Sequence, residues 1–264
     1  MEADLRRLLT FSCGEDILAG SLDEAAGSIG MLFVTGGTQT RVGSHRMYER
    51  LAKHLAEAGF PCLRFDRRGV GESSGDDPDF RGSADDLNAA ANTLRAETKV
   101  ERIIGFGLCD GATTLALHGA AAGIHGTILV NPWLVEAEAG DMAPAAMRSH
   151  YRQRLFSLSA WKKLLSGGVN LGKLAGSLKK AGSATDGSLA DEAAQGLRGM
   201  PAALILSTSD NTAIAAAAEV KKSRFDGLIG WRREIDSDSH TFARPGDQEA
   251  LNAAVLDALK ALTA

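Results

Sequence analysis

Short apolar runs separated by longer amphipathic ones set the plan of this chain. Residues 8–13 and 17–22 flank Gly14-Glu15-Asp16 and predict an opening hairpin. Residues 31–34 form a short, wholly apolar strand. Helical spacing of Met47, Leu51 and Leu55 predicts a helix over 43–58, stopped by Gly59. A strand over 61–65 ends at Asp66, and a helix follows over 84–97. A strand over 102–105 leads through a glycine-rich turn into an alanine-rich helix over 113–122. Residues 127–130 form another apolar strand, closed by Asn131-Pro132. Strands over 203–206 and 228–235 enclose a helix over 213–222, and a last helix covers 250–262. From residue 31 onward strand and helix alternate, which predicts an α/β fold with a mostly parallel sheet and helices on both faces.

One stretch departs from this rhythm. Residues 134–200 lie between two strands and are too long for a single connecting helix, so they are expected to form an inserted helical cap on a core made of 1–133 and 201–264. Within 145–185 there are eight basic residues (Arg148, Arg152, Arg154, Lys162, Lys163, Lys173, Lys179 and Lys180) and no Asp or Glu. Two readings stand side by side. The charges are a solvated face of lid helices packed through Leu155, Leu158, Trp161 and Leu165, or they form a basic collar that draws in an anionic substrate.

Composition narrows the class. A chain of 264 residues with 44% hydrophobic residues can build one sizeable core. A net charge of −4 gives no general case for nucleic acid. Three cysteines without paired spacing argue against a disulfide framework and for a reducing compartment. The charged start Met-Glu-Ala-Asp-Leu-Arg-Arg does not read as a signal peptide, and no apolar run approaches the ~18 residues of a membrane span. A cytoplasmic location is the expectation; oligomeric state is left open.

The chemistry concentrates at Gly107-Leu108-Cys109-Asp110-Gly111. A strand, a very tight turn and a helix in immediate succession force the central residue into a strained backbone, so that its side chain stands out at the sheet edge. Cysteine at that position is a candidate nucleophile, against the alternative of a buried structural thiol. Gly71-Glu72-Ser73-Ser74-Gly75 also fits Gly-x-Ser-x-Gly, but its flanks, Arg67-Arg68-Gly69-Val70 and Asp76-Asp77-Pro78-Asp79, are neither core strand nor helix start. A nucleophile on this architecture needs an acid and then a histidine, each after a later strand. Asp210 follows the strand at 203–206, where it also suits a helix N-cap. His240 follows the strand at 228–235; of the six histidines it alone lies past the last strand and before the last helix. Oxyanion donors are expected from the backbone N–H of Asp110 and from the loop Thr35-Gly36-Gly37-Thr38-Gln39, with Gly37 first and Thr38 next. Arg41, His45 and Arg46, further along that loop, and Trp133 are candidate substrate contacts. The loop residues fit an exposed helix start equally well. No cofactor and no metal are called for; the expected partner is a small-molecule or acyl-group substrate, anionic if the basic residues face it.

Taken together, Thr35-Gly36-Gly37, the Phe65-Asp66-Arg67-Arg68-Gly69-Val70-Gly71-Glu72-Ser73 segment, Gly-x-Cys-x-Gly, Asp210 and His240 resemble the α/β-hydrolase fold over nearly the whole chain from residue 8. The resemblance implies that the segment around Ser73 is structural. A Cys-Asp-His set is similar to that of dienelactone hydrolases. More narrowly, Gly36-Gly37-x-Gln39-x-Arg41-Val42-Gly43-Ser44-His45-Arg46, Gly107-Leu108-Cys109-Asp110 and Asn131-Pro132-Trp133 resemble hydrolases associated with the exosortase A system, which are encoded near exopolysaccharide and protein-sorting genes. In that subgroup Thr38 is usually proline, and many α/β-hydrolases carry histidine where Thr35 stands. These likenesses imply hydrolysis of an ester or thioester through an acyl-cysteine. Acyl transfer from the same intermediate, and a non-catalytic binding protein on this fold, are the competing readings.

Overall fold

The computed structural model describes residues 6–135 and 188–264. In chain order among these residues, the strands are β1 (Arg6–Cys13), β2 (Asp16–Asp23), β3 (Ile29–Val34), β4 (Cys62–Phe65), β5 (Arg102–Leu108), β6 (Gly126–Val130), β7 (Ala202–Ser207) and β8 (Ile229–Ile235). The α-helices are α1 (Met47–Glu57), α2 (Asp79–Gly82), α3 (Ala84–Glu97), α4 (Asp110–His118), α5 (Leu189–Gly196), α6 (Asn211–Glu219) and α7 (Asp247–Thr263). The eight strands form one sheet in the order β1-β2-β4-β3-β5-β6-β7-β8. The hairpin β1–β2 joins antiparallel at the β4 edge, and every pair from β4 to β8 is parallel.

Alternation along the central strands explains the two-sided core. Leu32 and Val34 of β3 face one layer with Leu87, Leu94 and Leu115, whereas Met31 and Phe33 face the other with Leu51, Leu55, Val255 and Leu259. β6 and β7 repeat the device: Leu129, Leu204 and Leu206 point to the first layer, and Ile128, Val130 and Ile205 to the second. Strands buried on both faces are the reason these segments read as continuous apolar runs.

Three boundaries differ from the sequence expectation. The helix expected from residue 43 begins at Met47, because Gly43, His45 and Arg46 have φ of 76°, 42° and 66° and cannot continue a right-handed helix. The helix after the elbow ends at His118 rather than reaching 122. Helix α5 falls inside the 134–200 stretch, yet Ala190, Ala193 and Ala194 pack into the core layer that α4 also covers. The basic residues between 145 and 185, and the leucines and tryptophan paired with them, lie outside the described residues. Among the described residues no helix is long and apolar enough to cross a membrane.

Candidate active site

The turn from β5 into α4 is as sharp as its glycines allow. Cys109 has φ 58° and ψ −125°, a conformation that costs a side-chain-bearing residue energy and persists only where its surroundings impose it. Two close approaches impose it. A Cβ on Gly107 would lie 2.6 Å from the Ala112 nitrogen, and one on Gly111 would run into the Val34 carbonyl. The elbow is pinned from outside as well: the Cys109 N–H donates to Val130 O at 3.0 Å and the Trp133 N–H donates to Cys109 O at 3.2 Å. Thr113 Oγ1 donates to Trp133 O at 2.6 Å, so Trp133 is anchored beside Cys109 by its backbone while its side chain is half-buried.

Asp210 and His240 come together from the ends of β7 and β8, with His240 Nδ1 3.1 Å from Asp210 Oδ1. A carboxylate can only accept here, so Nδ1 carries a proton and donates it. Asp210 serves two roles at once, because the same Oδ1 caps α6 by accepting the Ala213 N–H at 2.9 Å. Burial raises its carboxyl, but the hydrogen bond and charge of His240, together with the Ala213 and Thr212 backbone N–H groups, outweigh that and leave it below the usual range.

The Cys109 thiol is pushed well above its ordinary value, first by burial and then by the negative charge of Asp110, with Asp210 adding to it; the Asp110 backbone N–H opposes the shift by pointing at the sulfur.

One residue that the sequence reading set aside ties these parts together. Asn131, at φ 42° after β6, is fully buried. Its Oδ1 accepts the Ser207 N–H at 2.8 Å, and its Nδ2 donates to Ser207 Oγ at 3.0 Å and to His240 O at 3.3 Å. Val130 thus holds the Cys109 backbone while its neighbour holds that of His240. The only local signal for it is an Asn-Pro directly after a strand. From the other side, His45 Nε2 donates to Thr241 O at 2.8 Å, joining the loop after β3 to the His240 loop. Replacing Asn131 by glycine, which tolerates the same φ, is expected to cost about 1–3 kcal/mol of stability and to lower kcat by roughly ten- to a hundredfold with little change in KM, read by thermal melting and steady-state kinetics.

The remaining candidates are placed as follows. The Gly37 N–H does not stand open; it donates to Asp110 Oδ1 at 2.6 Å, while the Gly37 carbonyl accepts from the buried Arg67 guanidinium. Thr38 is exposed. Arg41, a candidate anion contact, has its guanidinium held by Asp66, Glu72 and Ser21 Oγ, and Arg46 is paired with Glu49. Each arginine thus already has a carboxylate partner within the chain. Ser73 is structural too: its Oγ donates to Asp66 O at 2.6 Å and accepts the Ala19 N–H at 2.9 Å, stitching β2 to the loop after β4. Among the described residues no cluster of three or more His, Cys, Asp or Glu side chains could hold a metal ion.

A strained elbow after β5 with an Asp–His pair after β7 and β8 defines a class of hydrolase. Residues 31–254 match the family described as the alpha/beta hydrolase family. The chain belongs to that family and is a hydrolase. Solved structures similar to it include the alpha/beta hydrolase GrgF from Penicillium sp. sh18, at 19% identity and TM-score 0.68 over 97% of this chain and 98% of that one. An esterase of Pyrococcus furiosus has 17% identity and TM-score 0.69 over 97% and 90%. A dienelactone hydrolase from Anabaena variabilis has 16% identity and TM-score 0.63 over 97% and 96%. These likenesses show the fold. No curated protein matches the sequence.

Proposed function

We propose that this hydrolase cleaves an ester or thioester through an acyl-Cys109 intermediate, with His240 as base and Asp210 as its orienting acid. The observation that carries the reading is a cysteine at the elbow conformation, φ 58°, cross-braced through Val130 and Asn131 to the His240–Asp210 pair. His240 Nε2 takes the thiol proton as Sγ attacks the acyl carbon. The carbonyl oxygen becomes an oxyanion facing the Asp110 N–H, which already points at the sulfur. Collapse breaks the bond to the leaving group, which receives the proton from His240. Water then attacks the thioester, giving its proton to His240, and the released thiolate is reprotonated. Asp210 offsets the charge that His240 gains at each step.

The dienelactone-hydrolase-like set of Cys, Asp and His and the Gly-Gly-x-Gln-x-Arg-Val-Gly-Ser-His-Arg stretch support placing it near exosortase-associated hydrolases. The substrate is then a small acyl ester or thioester. Intact mass taken during turnover of short p-nitrophenyl esters and acyl thioesters tests this. A transient acyl adduct that maps to Cys109 is expected; turnover with the adduct on another residue, or unchanged in a Cys109→Ala variant, would overturn it.

A further inference from the structure

The reaction scheme leaves one side chain at the nucleophile unused. Asp110 turns its carboxylate across the elbow so that Oδ1 accepts the Gly37 N–H at 2.6 Å. The same oxygen stands against Gly36, where a Cβ would lie 2.5 Å from Asp110 Oδ1 and 3.3 Å from Cys109 Cβ. The carboxylate is therefore wedged between the nucleophile and the Gly-Gly loop, the space that an oxyanion on an acylated Cys109 has to enter to reach the Gly37 N–H. Around this loop Thr35 Oγ1, Gln39 Oε1 and Arg67 Nε are buried without a hydrogen-bond partner among the described residues.

We infer that Asp110 is a specificity-determining residue that occupies the oxyanion hole of the free enzyme, holding the Gly37 N–H until a substrate carbonyl displaces it. The inference rests on the acyl-Cys109 reading. Two negative charges cannot share the hole, so the carboxylate must swing away as the tetrahedral oxygen gains charge. Only a substrate whose other contacts offset that displacement is turned over efficiently; a small ester held by its acyl group alone is discriminated against.

The test uses the full chain as wild type, Asp110→Ala and Asp110→Asn, with p-nitrophenyl acetate as substrate and an alkyl trifluoromethyl ketone as a probe that forms a tetrahedral oxyanion adduct on the thiol. Melting temperature and iodoacetamide labelling of Cys109 count intact sites. Asp110→Ala is expected to raise kcat/KM for the acetate about ten- to a hundredfold, the factor for one charge-assisted hydrogen bond that no longer has to be displaced. It is expected to tighten the ketone by a similar factor. Asp110→Asn, whose neutral amide oxygen is a weaker acceptor, falls between. A folded, fully labelled Asp110→Ala variant with kcat/KM at or below wild type overturns the inference. Should that variant not fold, equal ketone affinity for Asp110→Asn and wild type overturns it. Failure of the underlying reading is separate, because it shows as a wild type that never acylates Cys109.

Discussion

Replacing Cys109 with alanine is expected to lower turnover of an activated ester by a factor on the order of 10⁴ or more while leaving the fold intact, because the nucleophile is the member of such a set that no other group replaces. The strain at φ 58° falls equally on cysteine and alanine, since both carry a Cβ, so the substitution removes chemistry without releasing the elbow. Circular dichroism and melting temperature should therefore move little. Ser73→Ala is the informative control. It removes a hydroxyl that bridges Asp66 O and the Ala19 N–H, and should cost about 1–3 kcal/mol of stability with kcat unchanged. The reverse outcome, a fully active Cys109→Ala and a dead but folded Ser73→Ala, would move the nucleophile to the other Gly-x-Ser-x-Gly.

Asp210→Asn carries the second large effect and separates two roles of one carboxylate. Asparagine caps helices about as well as aspartate, so the Ala213 N–H keeps an acceptor and α6 keeps its start. What is lost is the negative charge facing His240 Nδ1, and with it both the tautomer that leaves Nε2 able to accept a proton and the compensation for imidazolium. A fall in kcat of roughly 10²–10⁴ is expected, with melting temperature nearly unchanged. Asp210→Ala should in addition lose about 1 kcal/mol of stability through the missing cap. The pH dependence follows from the sign of the shift. The Asp210 carboxyl lies below its usual range in the folded state, so its contribution to stability is present above the ordinary aspartate value and fades only as pH falls through the lower folded value. The Asn variant lacks that acid-side loss. Equal activity of Asp210→Asn and wild type would leave Asp210 a helix cap and nothing more.

How much of this was legible beforehand depended on whether a feature is local. The parallel sheet was legible because β3, β5, β6 and β7 are buried on both faces and read as unbroken apolar runs. The elbow was legible because Gly107 and Gly111 are fixed by backbone approaches within a few residues or across one strand. Asp210 and His240 each follow a strand directly, and chain order singled them out. Contacts between distant segments stayed hidden. Nothing near Arg41 announces that Asp66 and Glu72 take its charge, and nothing near Asn131 announces that its amide spans Ser207 and His240, 109 residues apart from the latter. The start of α1 was misplaced because positive φ at His45 and Arg46 belongs to the loop's path toward Thr241, not to their intrinsic preference.

The distribution of sulfur has a practical consequence. Cys13 and Cys62 are buried and Cys109 only partly so, and no other cysteine exists in the chain. A small alkylating reagent therefore meets one thiol in the native protein and three once it unfolds. The count of labels per chain becomes an internal gauge of conformational integrity, read in the same mass spectrum that records whether the reactive sulfur is intact.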